Sequence, residues 1–183
     1  LFAESEAEAA AETTKPEPEQ KAEAAKPEST GAEIMTIFAH MNGTAIPLEE
    51  VEDEVFSQKI LGDGIAIQPA EGKLYAPCDG TIETVFETKH AVNMTAANGA
   101  ELLMHIGIDT VKLEGKYFEA HVTDGQQVKK GDLLVSFDMD AITAAGYKLT
   151  TPLLVCNADD YTAITPVAQG TVSAGTAAIQ ITK

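Results

Sequence analysis

Four histidines, at positions 40, 90, 105 and 121, are the side chains of this 183-residue chain best suited to chemistry near neutral pH. His105 stands in the run Leu102-Leu103-Met104-His105-Ile106-Gly107-Ile108-Asp109-Thr110-Val111. Read as a strand of period two, the run puts Leu103, His105 and Gly107 on one face and Leu102, Met104 and Ile106 on the other. Desolvation on such an apolar surface disfavours imidazolium, so the ring stays neutral. A neutral ring nitrogen is a nucleophile toward phosphorus. The same run also fits a core histidine whose hydrogen bonds are satisfied.

His90 lies between Phe86-Glu87-Thr88-Lys89 and Ala91-Val92-Asn93-Met94. Alone it reads as a surface residue at a strand end. Fifteen residues separate it from His105, and the turn dipeptide Asn98-Gly99 falls between them. A hairpin turning there sets the two imidazoles on adjacent strands. Such a pair suits phosphoryl transfer or metal binding. His40 and His121 have no comparable context and are expected on the surface or in loops.

The elements that must position this pair are strands. Asn42-Gly43, Asp63-Gly64, Asp79-Gly80 and Asp124-Gly125 mark further turns. Between the turns, strands are predicted at 65–68, 73–76, 80–87, 100–107, 132–137, 151–156, 169–173 and 177–182. Short helices are predicted around 53–60 and 140–145. This pattern predicts an all-β sandwich or barrel. The composition changes near residue 32. Residues 1–32 carry eight Glu, three Lys and three Pro, with only Leu1 and Phe2 as large apolar groups. They are expected to form a flexible acidic Ala/Glu/Pro linker, because they cannot bury enough surface to offset the entropy of ordering. Residues 33–183 are expected to form the globular domain, large enough for a core without metal or disulfide help.

The formal charge of −17, with twelve Lys and no Arg, argues against nucleic acid and against an anionic membrane surface. Any phosphate chemistry here proceeds without a guanidinium clamp of the chain's own. No apolar run approaches the roughly 20 residues of a membrane helix, and no signal-peptide pattern opens the chain. The start Leu1-Phe2-Ala3, without Met, is that of a processed chain or a piece of a longer protein. Cys78 and Cys156 are expected to be reduced thiols.

These residues resemble the glucose-class enzyme IIA domains of the bacterial sugar phosphotransferase system. The resemblance rests on Asp53-Glu54-Val55-Phe56, Leu61-Gly62-Asp63-Gly64-Ile65-Ala66-Ile67 and Tyr75-Ala76-Pro77-Cys78-Asp79-Gly80-Thr81. It continues through Phe86-Glu87-Thr88-Lys89-His90-Ala91, His105-Ile106-Gly107-Ile108-Asp109-Thr110-Val111 and Thr151-Pro152, over roughly residues 43–160. It implies an antiparallel β-sandwich of barrel-sandwich or duplicated hybrid type, with one or two short helices. It implies a phosphotransferase component in which phospho-HPr passes a phosphoryl group to His105, and His105 passes it to a cysteine of a IIB domain.

On the same resemblance, His90 is the second active-site histidine and Thr88 helps hold the pair. The Gly107 carbonyl fixes the His105 Nδ1 proton, Asp109 lies beside the site, and Val55, Phe56, Phe86, Ile106 and Val111 form an apolar docking surface. No cofactor and no metal is required; His90 and His105 could serve as regulatory zinc ligands completed by a partner. The runs Leu113–Phe118 and Ala141–Tyr147 look most like the β-glucoside, sucrose or trehalose transporters. In those the domain is fused to membrane and IIB domains, which implies a place on the cytoplasmic side of the membrane, or an excised soluble domain. Two departures stand out: His40 lies where related domains tend to have a Pro-containing entry, and Cys78 where an apolar residue is usual. Two other classes compete: a biotin or lipoyl carrier using Lys89, and a zinc hydrolase using His90, His105 and Asp109.

Overall fold

The computed structural model describes residues 33–183; the expected linker, residues 1–32, lies outside the described residues. Fourteen strands follow in chain order. They are β1 (Ile34–Phe38), β2 (Gly43–Pro47), β3 (Asp63–Pro69), β4 (Lys73–Tyr75), β5 (Gly80–Val85), β6 (Ala91–Ala96) and β7 (Glu101–His105). Then come β8 (Phe118–Ala120), β9 (Gln127–Val128), β10 (Leu133–Phe137), β11 (Thr151–Val155), β12 (Ala163–Pro166), β13 (Gly170–Val172) and β14 (Ala177–Thr182). Two short helices, α1 (Glu54–Ser57) and α2 (Met139–Ala144), begin at Asp53 and Asp138, whose carboxylates accept backbone N–H groups of the first turn. Among the described residues no helix is long and apolar enough to cross a membrane.

All strand pairs are antiparallel. The largest sheet has the order β13-β2-β3-β11-β7-β6-β5-β9, and two three-stranded sheets, β1-β14-β12 and β4-β10-β8, complete the fold. The expected all-β sandwich with short helices is what forms, without a closed barrel. Both predicted helices are present, and every predicted strand has a counterpart with ends shifted by up to two residues. The spacing does not predict β1, β2, β8, β9 or β12, and it anticipates β6 only as the partner strand of the hairpin at Asn98-Gly99.

The centre of the large sheet is buried on both faces. Along β11, Leu153 and Val155 enter the main core with Ile65, Ile67, Leu102 and Met104. Leu154 points to a second, smaller core with Ala66, Ala91, Leu103, Leu48 and Phe56. Two-sided burial explains the unbroken apolar run of β11, where alternation gives no signal. Close approach of the paired strands also explains Gly64, where a Cβ would lie 2.0 Å from the Leu153 carbonyl oxygen. Cys78 is buried and free, and burial raises its thiol pKa to about 12. Cys156 is free and exposed.

His121 is exposed, as expected, with Nε2 2.8 Å from Ser136 Oγ. The same expectation fails for His40, which is fully buried. Its Nε2 donates to the Thr151 carbonyl at 2.9 Å, and its own carbonyl accepts from Tyr75 N at 2.7 Å. The loop between β1 and β2 therefore passes through the joint between sheets. Burial lowers the His40 pKa from 6.5 to about 4, against the opposing pull of the Thr151 carbonyl.

A lowered pKa in the folded state means that the unfolded chain takes up this proton first as pH falls. The contribution is whole above pH 6.5 and is lost on descent to about pH 4; it amounts to about 3 kcal/mol. Urea unfolding between pH 7 and pH 4 is expected to show this loss, and His40→Gln to remove its part of the slope. An unchanged slope in His40→Gln would assign the loss to other groups.

Candidate functional site

The β6–β7 hairpin turns at Asn98-Gly99, as the sequence predicts, and brings the two histidines together. Ala91 pairs with His105 across the strands, and Ile106 N donates to the His90 carbonyl at 2.6 Å. The ring centroids of His90 and His105 lie 4.7 Å apart, with planes at 83°. A tight turn delivers His90: Lys89 has φ 59° and donates its N–H to the Phe86 carbonyl at 2.7 Å. His90 is buried rather than on the surface, and the Phe86 ring meets its edge at 5.5 Å.

Each ring has one nitrogen engaged. His105 Nδ1 donates to the Gly107 carbonyl at 2.8 Å, which leaves Nε2 with its lone pair. Thr88 Oγ1 lies 2.6 Å from His90 Nδ1; with the hydroxyl as donor, His90 carries its proton on Nε2. Gly107 has φ 78°, in the left-handed region. A Cβ there would lie 2.6 Å from Thr110 Cγ2 and 2.8 Å from the Lys148 carbonyl oxygen. The turn is held from both sides, since Thr110 Oγ1 donates to the Ile106 carbonyl and Ile108 N donates to Lys148 O at 3.0 Å.

Burial favours the neutral form of both rings. Burial, with a smaller contribution from His105, lowers the His90 pKa to about 4. Burial also lowers His105, while the Gly107 carbonyl, Asp53 and Asp109 pull it back up. Asp109 adopts φ 61° at the start of the 3-10 turn Thr110–Leu113. Asp53 caps α1 through Val55 N at 2.9 Å. Its part at the site was not singled out from the sequence; an acidic cap before a helix with an exposed apolar residue was the available signal.

The expected apolar surface divides. Val55 and Val111 are 39% and 48% exposed. Phe56 is buried, with its ring centroid 5.0 Å from that of His105, so it covers the ring rather than facing solvent. Phe86 is half-buried. Ile106 does not belong to the surface: it is fully buried in the main core, because it lies on the face of β7 opposite His105. Ile60 and Leu61, just after α1, are exposed as well. Among the described residues no group of three or more His, Cys, Asp or Glu side chains is placed to hold a metal ion, so His90, His105 and Asp109 do not form the ligand set of a hydrolase.

A family model described as phosphoenolpyruvate-dependent sugar phosphotransferase system, EIIA 1, matches residues 35–161. The chain belongs to this family. It is 48% identical to a β-glucoside-specific EIIBCA component of Dickeya chrysanthemi over 80% of this chain and 23% of the relative. It is 46% identical to a glucose-specific EIIA component of Oceanobacillus iheyensis over 77% of this chain and 86% of the relative. The glucose permease IIA structure from Mycoplasma capricolum matches with a TM-score of 0.74 and 37% identity, over 81% of this chain and 96% of that one. This EIIA chain thus spans under a quarter of the β-glucoside relative and most of the separate glucose-specific EIIA component. It is a glucose-class EIIA domain of the sugar phosphotransferase system.

Two outcomes test the geometry. In an NMR titration of the folded EIIA domain, His90 is expected to stay neutral until about pH 4; a midpoint near 6.5 would mean an open, solvated ring. Gly107→Ala is expected to destabilise the domain by about 1–3 kcal/mol and to disturb the His105 Nδ1 proton, read by thermal unfolding and imidazole NMR. Wild-type values in both would show that the turn is not constrained as described.

Proposed function

We propose that this EIIA domain carries a phosphoryl group on His105 Nε2, accepting it from phospho-HPr and passing it to a cysteine of a IIB domain. The observation that carries the reading is the pair of perpendicular imidazoles with opposite engagement of their Nδ1 atoms. His105 Nδ1–H is spent on Gly107, so Nε2 offers a lone pair. With the Thr88 hydroxyl donating to His90 Nδ1, His90 offers Nε2–H. One ring attacks and the other donates to a phosphoryl oxygen.

In the accepting step, the His105 Nε2 lone pair forms a bond to phosphorus as the bond from phosphorus to the donor breaks, and that electron pair leaves with the donor. The reverse partition at IIB forms the sulfur–phosphorus bond and returns the pair to His105 Nε2. Such transfer needs positioning and charge stabilisation more than covalent assistance. This chain supplies no Arg, so the docked partner lends the cations. Asp53, Asp109 and the negative net charge steer a basic partner face toward the site. Exposed Val55 and Val111 with half-buried Phe86 form an apolar rim that excludes water once a partner is seated. Residues 1–32 would serve as the acidic linker to a neighbouring domain, on the cytoplasmic side of the membrane. The sugar is left to the membrane domain of the full transporter.

Incubation with phosphoenolpyruvate, enzyme I and HPr tests the relay. Wild type is expected to acquire acid-labile, alkali-stable phosphate, and His105→Ala none. His90→Ala is expected to accept phosphate but to pass it to IIB about 10–100-fold more slowly, the loss of one hydrogen bond to a charged group. No phosphate on wild type, with partners verified on a known IIA domain, would overturn the reading.

A further inference from the structure

We infer that His40 is a positioning residue for His105, acting through the segment that braces the Gly107 turn. The Gly107 carbonyl orients the His105 ring, and the Lys148 carbonyl holds that turn through Ile108 N. Lys148 belongs to the run entering β11. The β11–β7 pairing covers only Leu153–Val155, so the run from Lys148 to Pro152 has left that ladder just where it faces the turn. On its other side β3 pairs with Thr151 and Pro152, but Pro152 has no N–H to donate. Two side-chain bonds take over: Thr151 Oγ1 donates to the Leu149 carbonyl at 2.8 Å, and His40 Nε2 donates to the Thr151 carbonyl at 2.9 Å.

His40 is itself fixed from the opposite side. Its carbonyl accepts from Tyr75 N of β4, and Ala39 N donates to the Thr176 carbonyl at 2.7 Å. The donor is therefore anchored to other sheets, and the β11 entry is held against them. The second ring nitrogen shows what the position is for. His40 Nδ1 is the one buried side-chain nitrogen or oxygen among the described residues without a hydrogen-bond partner. A residue needed only to fill space would be aliphatic and free of that unpaired acceptor. What an imidazole adds at position 40 is the aimed Nε2–H.

The functional consequence rests on the relay reading, but the test does not, since it uses the unphosphorylated chain without partners. Nitrogen-15 imidazole spectra report the tautomer of His105, and amide exchange at Ile108 reports the brace, with Met104 as a control for global opening. His40→Leu keeps an apolar filler and removes the donor; His40→Gln restores a donor. Ile108 exchange is expected to rise about fivefold relative to Met104 in His40→Leu, the loss of one buried hydrogen bond. The Nδ1–H fraction of His105 is expected to fall with it, and His40→Gln to restore both. Wild-type values in His40→Leu, or no recovery in His40→Gln, would overturn the inference. Should His40→Leu not fold, His40→Gln decides: wild-type values support the brace and altered ones overturn it. A relay that failed while these shifts were present would sink the relay alone.

Discussion

The hydrogen bond from His105 Nδ1 to the Gly107 carbonyl is the constraint on which the rest of the site depends. It decides which nitrogen of a symmetric-looking ring is left to react. That choice is held by backbone rather than by another side chain, so it needs a backbone that turns sharply right after β7. Only a residue without a Cβ fits, because φ is 78° and the Thr110 methyl and Lys148 carbonyl close in on that side. The carbonyl's aim is then set by neighbours at Thr110 and Ile108. A histidine on a strand end acquires a defined tautomer through these contacts, each of them local to the turn or to the segment packed on it.

Burial and charge around the ring work in opposed directions, and under the relay reading the balance suits a carrier. Burial lowers the His105 pKa, which favours the unprotonated ring, while the Gly107 carbonyl, Asp53 and Asp109 offset part of that effect. Once a phosphoryl group were on Nε2, the same two carboxylates would stand near added negative charge with no guanidinium of this chain to relieve it. Under the relay reading, the domain holds its cargo by hydrogen bonds rather than by ion pairs. It therefore gives the group up when a partner brings cations. A site built around Arg would bind phosphate more firmly and release it less readily.

Much of this was legible in the sequence, for identifiable reasons. Alternation along Leu102–Gly107 set His105 and Leu103 on one face, and the structure puts Leu103 in the small core and Met104 in the main one. Asn98-Gly99 marked the hairpin that joins the two imidazoles. The same alternation places Ile106 away from the surface; counting it in the docking rim followed the resemblance against the period. The missed strands have weak local signals. β9 is two residues long, and β12 ends in proline. The burial of His40 was not legible because the carbonyl its ring meets belongs to Thr151, 111 residues away. No window of sequence contains both ends of that bond.

The two-sided burial of the large sheet explains how a reactive site coexists with a firm fold. The main core, on one face, carries most of the large aliphatic side chains. The small core, on the other, is closed by the segment containing Leu48, Val51 and Phe56, and Phe56 lies directly over His105. Movement of that cover would expose the ring without disturbing the layer containing Ile65, Met104 and Leu153. The exposed Val55 and Val111 lie on or beside this thinner layer, so under the relay reading a partner that presses on them acts on the cover and not on the foundation. The sheet that anchors His105 is stable because its other face is committed elsewhere, and this frees the face that bears His105 to be only partly closed.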